Sequence, residues 1–224
     1  MHKDQFVLPA GDAAHVHSSG FAQGFNAAVY VATNLAWKLL GTLKGWYKPE
    51  ILASYDSERR TAAERLISID RLAAAAVSGD IPAKYKATGL TVEEVMRSIF
   101  EDSMAFTVGL GVSYDPSVLN VEPLATNLVA GTRSPDALVY APGPAVPIRL
   151  HDITHRGSRG RWTLLIFAGR PHQTKPDYVA LRQKLEEGET RLKQWSETYQ
   201  LATIMLEVTE STWKAFDGPA IGNL

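Results

Sequence analysis

From residue 24 to residue 43, apolar side chains fall at steps of three and four: Phe25, Ala28, Val29, Ala32, Leu35, Ala36, Leu39, Leu40 and Leu43. A helix of 3.6 residues per turn gathers such positions onto one side, so the spacing predicts a helix with a single apolar stripe. Gly41 and Gly45, with Pro49 beyond them, mark its end. The same period runs through "ILASYDSERRTAAERLISIDRLAAAAV", predicting a second helix over about 49–77 with its acids and bases on the outer side. "TVEEVMRSIFEDSMAFTVGL" predicts a third, opened by Thr91 with Glu94 three residues on, the pattern of a capping box. Ahead of the first helix, "QFVLPAG" reads as a short strand.

The texture then changes. From "GVSYDPSVLN" to "AGTRSPDALVYAPGPAVP", proline and glycine dominate, as in a linker or the leading loop of a domain. A boundary is placed near 115–125, dividing the chain into 1–117 and 118–224. Beyond it "GRWTLLIFAG" predicts a buried strand, "DYVALRQKLEEGETRLKQWSETY" an amphipathic helix, "LATIMLEVT" a strand and "ESTWKAF" a short helix. Strand, helix, strand predicts a βαβ unit with parallel pairing. The fold class is therefore mixed α/β, a helical part followed by an α/β domain.

Bulk properties remove several classes of function. The formal net charge of −1 gives no footprint for nucleic acid. No apolar run reaches the roughly 18 residues of a bilayer span, and the first residues lack the apolar core of a signal peptide. Cysteine is absent, which excludes disulfides, Cys-ligated zinc, iron–sulfur centres and thiol nucleophiles. The expectation is a cytoplasmic protein with no nucleic-acid or membrane partner.

The chemistry concentrates in "GDAAHVHSSGFAQGFNAAVYVATNLAWKL". Asp12 follows a predicted strand, where a carboxylate is placed to accept hydrogen bonds from a polyol. Gly24, Phe25 and Asn26 open the helix, and a helix's first turn offers unpaired N–H groups and a partial positive charge. Gly20, Ala22 and Gly24 leave room for a flat ligand against the backbone. A flavin has that shape, with a ribityl chain at one end and an N1–C2=O edge that turns negative on reduction. A plain strand–turn–helix connection has the same spacing.

The stretch resembles the second flavin-binding motif of the class A flavoprotein aromatic monooxygenases. Gly11, Asp12, Ala13, Ala14, His15, Gln23, Gly24, Asn26, Asn34, Leu35, Ala36, Trp37, Lys38 and Leu39 match that pattern, and "LASYDSERR" is similar to the family's next helix. The resemblance implies FAD as cofactor, NADPH or NADH as co-substrate, and O₂-dependent hydroxylation of a small aromatic substrate, in phenol breakdown or aromatic secondary metabolism. Asp12 would hold the ribityl chain, and the backbone of Ala22, Gln23, Gly24, Phe25 and Asn26 would cradle the flavin's pyrimidine edge. No residue is assigned to catalysis. "AGTRSPDALV" resembles the opening of the C-terminal domain of the phenol-hydroxylase branch, which implies a thioredoxin-like fold with a part in dimer contacts. Lacking cysteine, that domain is expected to be structural.

Departures from the family pattern are also visible. Ser19 and Phe21 stand where the family has proline and glycine, and Val31 stands where it usually has Asp. No G-x-G-x-x-G for the pyrophosphate is found; "VGLGVSY" puts a tyrosine at the third glycine and follows a helix. The chain thus resembles the back portion of a monooxygenase, clipped at both ends. One expectation is a truncated enzyme; the alternative is a non-catalytic remnant or auxiliary subunit, forming a homodimer or a heterodimer with a full-length homologue.

The remaining candidates have bland expectations. His15 and His17 lack a third ligand at fixed spacing, so no metal site is expected and a backbone-bonded turn histidine is. Arg59 and Arg60 are expected on a solvated helix face, and Trp37 and Tyr55 in the core. Arg133 and Asp136 are expected to pair or to lie in an exposed turn, and Tyr114 to pack at the domain junction. His155, Arg156, Arg159 and Arg161 are expected to form a solvated basic loop.

Overall fold

The computed structural model describes residues 7–18, 22–121, 127–141, 146–155, 160–187, 197–206 and 211–222. The chain divides into two compact units, Met1–Ser134 and Pro135–Leu224.

In the first unit, α1 (Gly24–Leu43) is followed by a 3₁₀ turn (Pro49–Leu52) that runs directly into α2 (Ala53–Val77). A short α3 (Ala83–Lys86) leads to α4 (Val92–Thr107). Thr91 caps α4 as its spacing predicts: its hydroxyl accepts from the Glu94 N–H, and Glu94 reaches back to the Thr91 N–H at 2.9 Å. The core lies between α2 and α4, where Ala73 and Ala76 let Tyr85, Val95 and Ile99 approach closely. Residues 7–10 form no strand; the chain is held there by Tyr55, whose hydroxyl donates to the Pro9 carbonyl at 2.6 Å. Residues Gly11–Ala13 make one turn of 3₁₀ helix packed against α1.

Two expectations about helix faces are corrected. The apolar stripe of α1 is not its buried face within this chain: Phe25 is 79% exposed and Leu43 76%, while Ala27, Val31, Lys38 and Gly41 are buried. Polar bonds decide the rotation. Lys38 Nζ meets Glu58 Oε2 at 2.6 Å, Asn34 Nδ2 donates to the same oxygen at 2.7 Å, and both therefore turn inward toward α2. For the same reason α2 does not keep all its charges outside. Glu58 and Asp70 are buried because each has a partner across a helix or loop.

The second unit begins with an antiparallel hairpin, β1 (Leu138–Tyr140) and β2 (Pro147–Arg149), which the proline-rich sequence had suggested would be loop. A one-and-a-half-turn α5 (Leu150–His155) follows at once. Asp136 fixes this corner by accepting from the N–H groups of Ala137 and His151 at 3.0 and 3.1 Å and pairing with Arg149 at 3.3 Å. Then come β3 (Trp162–Gly169), α6 (Pro171–Glu187), β4 (Tyr199–Met205) and α7 (Thr212–Phe216). β3 and β4 pair in parallel with Leu165 opposite Ala202, the βαβ arrangement read from the sequence. The predicted continuation of α6 beyond 187 lies outside the described residues.

Tyr178 organises this core. Its ring stacks on Phe216 at 4.0 Å, and its hydroxyl accepts from the Ile221 N–H at 2.7 Å and donates to Thr203 Oγ1, which in turn donates to the Ile221 carbonyl. β3 is not a buried strand as expected: Trp162, Leu164 and Phe167 are exposed and Ala168 is the buried residue. Among the described residues, the sheet has two strands, with Ile166 and Ala168 facing the core built around Tyr178.

Candidate functional site

The entry to α1 has a backbone that costs energy to hold. Ala22 sits in the left-handed region at φ 51, unusual for a residue with a Cβ. Gln23 returns to the right-handed region at φ −95, ψ −3 and serves as N-cap without a side-chain bond to the helix. A left-handed residue followed by a right-handed one turns successive N–H groups toward one concavity, which attracts an anionic or electron-rich edge. The N–H groups of Gly24, Phe25 and Asn26 find no acceptor among the described residues. The Asn26 amide turns back to Gln23 Oε1 at 3.3 Å. These are donors at the positive end of a five-turn helix, waiting for an acceptor.

Asp12 lies in the 3₁₀ turn, exposed, and makes no hydrogen bond or ion pair with a described residue. His17 lies against the start of the helix: a Cβ added at Gly24 would lie 3.7 Å from its imidazole Cε1, an ordinary contact distance. Ser19, Gly20 and Phe21 lie outside the described residues.

The loop is fastened from below. Asp70, buried in α2, accepts from the Ser18 N–H at 2.8 Å and the Ser18 hydroxyl at 2.6 Å. With Tyr55 on Pro9 and Glu58 on Lys38 and Asn34, three side chains of α2 hold the 7–18 segment and α1. Trp37 is half-buried, edge-on to Tyr47 at 5.7 Å, and Tyr55 is in the core as expected.

His15 departs from its expected role. It is 5% exposed, and neither ring nitrogen has a hydrogen-bond partner among the described residues. The backbone contact belongs instead to His17, whose Nδ1 lies 2.9 Å from the Ser18 carbonyl. Burial first, then His17 and more weakly Arg59, hold the His15 imidazole below its ordinary pKa, while the residue's own backbone and Asp12 act the other way. The ring faces a small cavity of about 30 Å³ bordered by Gln23, Ala27, Arg59 and Phe106. Among the described residues no group of three or more His, Asp or Glu side chains could hold a metal ion.

The two arginines of α2 also separate. Arg60 is exposed and pairs with Asp56 one turn back at 2.9 Å. Arg59, about 100° further round the helix, turns inward, and its Nη1 lies 3.4 Å from the Tyr114 hydroxyl. The only hint in the sequence was that consecutive helical residues cannot share a face. Of the basic loop, Arg156 and Arg159 lie outside the described residues, His155 bonds to the His151 carbonyl, and Arg161 reaches Gln200 at 3.3 Å.

The chain has similar proteins among those already known. Residues 1–70 match the family model described as FAD binding domain. Over a longer stretch, the chain resembles FAD-dependent aromatic monooxygenases. It is 36% identical over 176 residues to 3-hydroxybenzoate 4-monooxygenase of Comamonas testosteroni, covering 76% of this chain and 27% of that protein. It is 34% identical over 172 residues to phenol 2-monooxygenase fsqG of Aspergillus fumigatus, covering 73% and 27%. In fold it is similar to the OxyS anhydrotetracycline hydroxylase from Streptomyces rimosus, with a TM-score of 0.57 and 23% identity over 92% of this chain and 37% of that one. The chain thus spans 27% of the length of these two curated relatives. No described helix is long and apolar enough to cross a membrane.

Proposed function

We propose that this chain supplies the flavin-holding turn and helix of an FAD-dependent aromatic monooxygenase that uses NADPH or NADH and O₂. FAD, when bound, supplies the redox chemistry; the chain supplies binding and electrostatics. Asp12 accepts hydrogen bonds from the ribityl hydroxyls, its carboxylate being exposed and uncommitted among the described residues. The backbone of Ala22, Gln23, Gly24, Phe25 and Asn26 receives the N1–C2=O edge. The observation that carries this reading is the left-handed Ala22 leading into an N-terminus without a side-chain cap, at the residues where the FAD family model matches. Strain of this kind persists where a site needs it. The N–H groups and helix dipole favour negative charge on that edge, and so favour the reduced flavin. The substrate is a small aromatic, in keeping with the named activities of the two relatives.

In this reading residues from about 118 onward form a thioredoxin-like module that contributes to a homodimer or heterodimer. A second reading is an auxiliary subunit that forms a dimer through that module and has no catalysis of its own.

FAD titration of the full chain, read by quenching of flavin fluorescence, tests the proposal. Saturable quenching weakened about ten-fold or more by Asp12→Ala is expected, the range for losing hydrogen bonds to a charged group. No uptake of FAD favours the auxiliary reading, and equal binding by both proteins removes Asp12 from the site.

A further inference from the structure

A second concavity lies in the first unit, away from the entry of α1. It is an open groove of about 340 Å³ between the middle of α1, α2 and the segment after α4. Tyr30, Arg59, Tyr114, Asn120, Thr132 and Arg133 supply its polar surface, and no carboxylate lines it among the described residues. Two arginines, Arg59 and Arg133, therefore border one small space.

The backbone is shaped to make this happen. Gly131 holds φ +76, and a Cβ there would collide with the Tyr114 carbonyl oxygen, while the Tyr114 N–H donates to the Gly131 carbonyl at 3.0 Å. That close crossing brings Thr132 and Arg133 beside Tyr114 and Arg59. Gly109, at φ +80, gives way in the same manner to the Tyr30 hydroxyl, which closes the other end.

The electrostatics point one way. Arg59 meets no carboxylate among the described residues; its Nη1 reaches the Tyr114 hydroxyl, and its Nε is buried with no partner among them. Its charge lowers the pKa of both Lys38 and His15, against Glu58 at Lys38 and Asp12 at His15. His15, buried with both nitrogens unpartnered among the described residues, borders the adjoining small cavity together with Arg59. Buried polar groups are rarely left unmatched, and a planar oxyanion is the ligand that an arginine fork fits best.

We propose that this groove binds a small oxyanion, the carboxylate of an aromatic acid or inorganic phosphate, between Arg59 and Arg133, with the Tyr114 hydroxyl as a further donor. This site is separate from the flavin turn, and its test needs no FAD. The full chain, labelled with ¹⁵N, is titrated with sodium phosphate and separately with sodium benzoate, ionic strength being held constant with sodium chloride. The expected result is a saturable shift of the Arg59 Nε–H signal and the His15 ring signals. Arg59→Gln and Arg133→Gln should each weaken binding by about ten-fold, and Arg133→Lys, which keeps charge but loses the fork, by less. Arg133 is exposed, so its variants should keep the wild-type circular dichroism and melting curve even if Arg59→Gln does not fold. Tighter saturation by benzoate assigns the site to an aromatic acid, tighter saturation by phosphate to phosphate. Shifts that do not saturate, or an affinity unchanged in folded Arg133→Gln, overturn the proposal.

Discussion

Replacing Lys38 by Met removes one charge from the contact that sets the rotation of α1. Lys38 is fully buried, its nitrogen is 2.6 Å from Glu58 Oε2, and Glu58 is itself buried. At an effective dielectric of about 20, Coulomb's law gives roughly 6 kcal/mol of attraction at that distance, most of it offset by the cost of desolvating both ions. Removing one partner keeps the cost and loses the attraction, leaving the Glu58 carboxylate with Asn34 alone. The expected loss is about 4 kcal/mol, a large part of the stability of an ordinary domain. With a urea slope of about 2 kcal/mol per M, the unfolding midpoint of the first unit drops by about 2 M. Trp37, whose ring centre is 5.4 Å from Lys38 Nζ, reports this transition by fluorescence. Replacing both residues (Lys38→Met with Glu58→Leu) should recover most of the loss, apart from about 1 kcal/mol for the abandoned Asn34 amide. A Lys38→Met protein within about 0.5 kcal/mol of wild type, or a double variant equal to the sum of the single ones, would refute the claim that this pair fixes the helix.

Three further outcomes follow from the same contacts. His15 has a folded pKa below its ordinary value of 6.5, so the unfolded chain binds the proton more readily. Its contribution is therefore complete above that value and is lost as pH falls through the folded pKa, and His15→Gln should flatten the decline of urea stability measured below pH 6.5. Ser18→Ala removes a 2.6 Å hydroxyl bond to the buried Asp70 while the backbone N–H bond remains. It should cost about 2 kcal/mol in chemical denaturation and speed amide exchange in the 15–18 segment. Thr91→Ala breaks the capping box and should cost about 1 kcal/mol, with exchange rising first at the start of α4.

Helices were legible where short-range rules govern them. The limits of α1 and the cap of α4 rest on local spacing and on Thr91 with Glu94, and both emerge as read. The face that α1 turns inward was not legible, because it is chosen by Lys38 and Asn34 meeting Glu58 some twenty residues away. A hydrophobic stripe records where a helix is apolar, and here that stripe is the exposed side. β1 and β2 were missed because each is three residues long and rich in turn-forming neighbours. His15 and Arg59 looked like a turn residue and a surface charge, since burial at a loop or a helix flank leaves no periodic signal. The order of Asp12, then Gln23, Gly24 and Asn26, was legible through resemblance to a motif, and the left-handed Ala22 adds a backbone feature that no spacing encodes.

The most direct measurement is backbone amide mapping of the ¹⁵N-labelled chain during titration with FAD. The account predicts the largest saturable shifts at Asp12 and at Gln23, Gly24, Phe25 and Asn26, growing further at the helix start when the flavin is reduced under anaerobic conditions. Saturable shifts that leave the first turn of α1 unmoved, or no shifts at all, would contradict it.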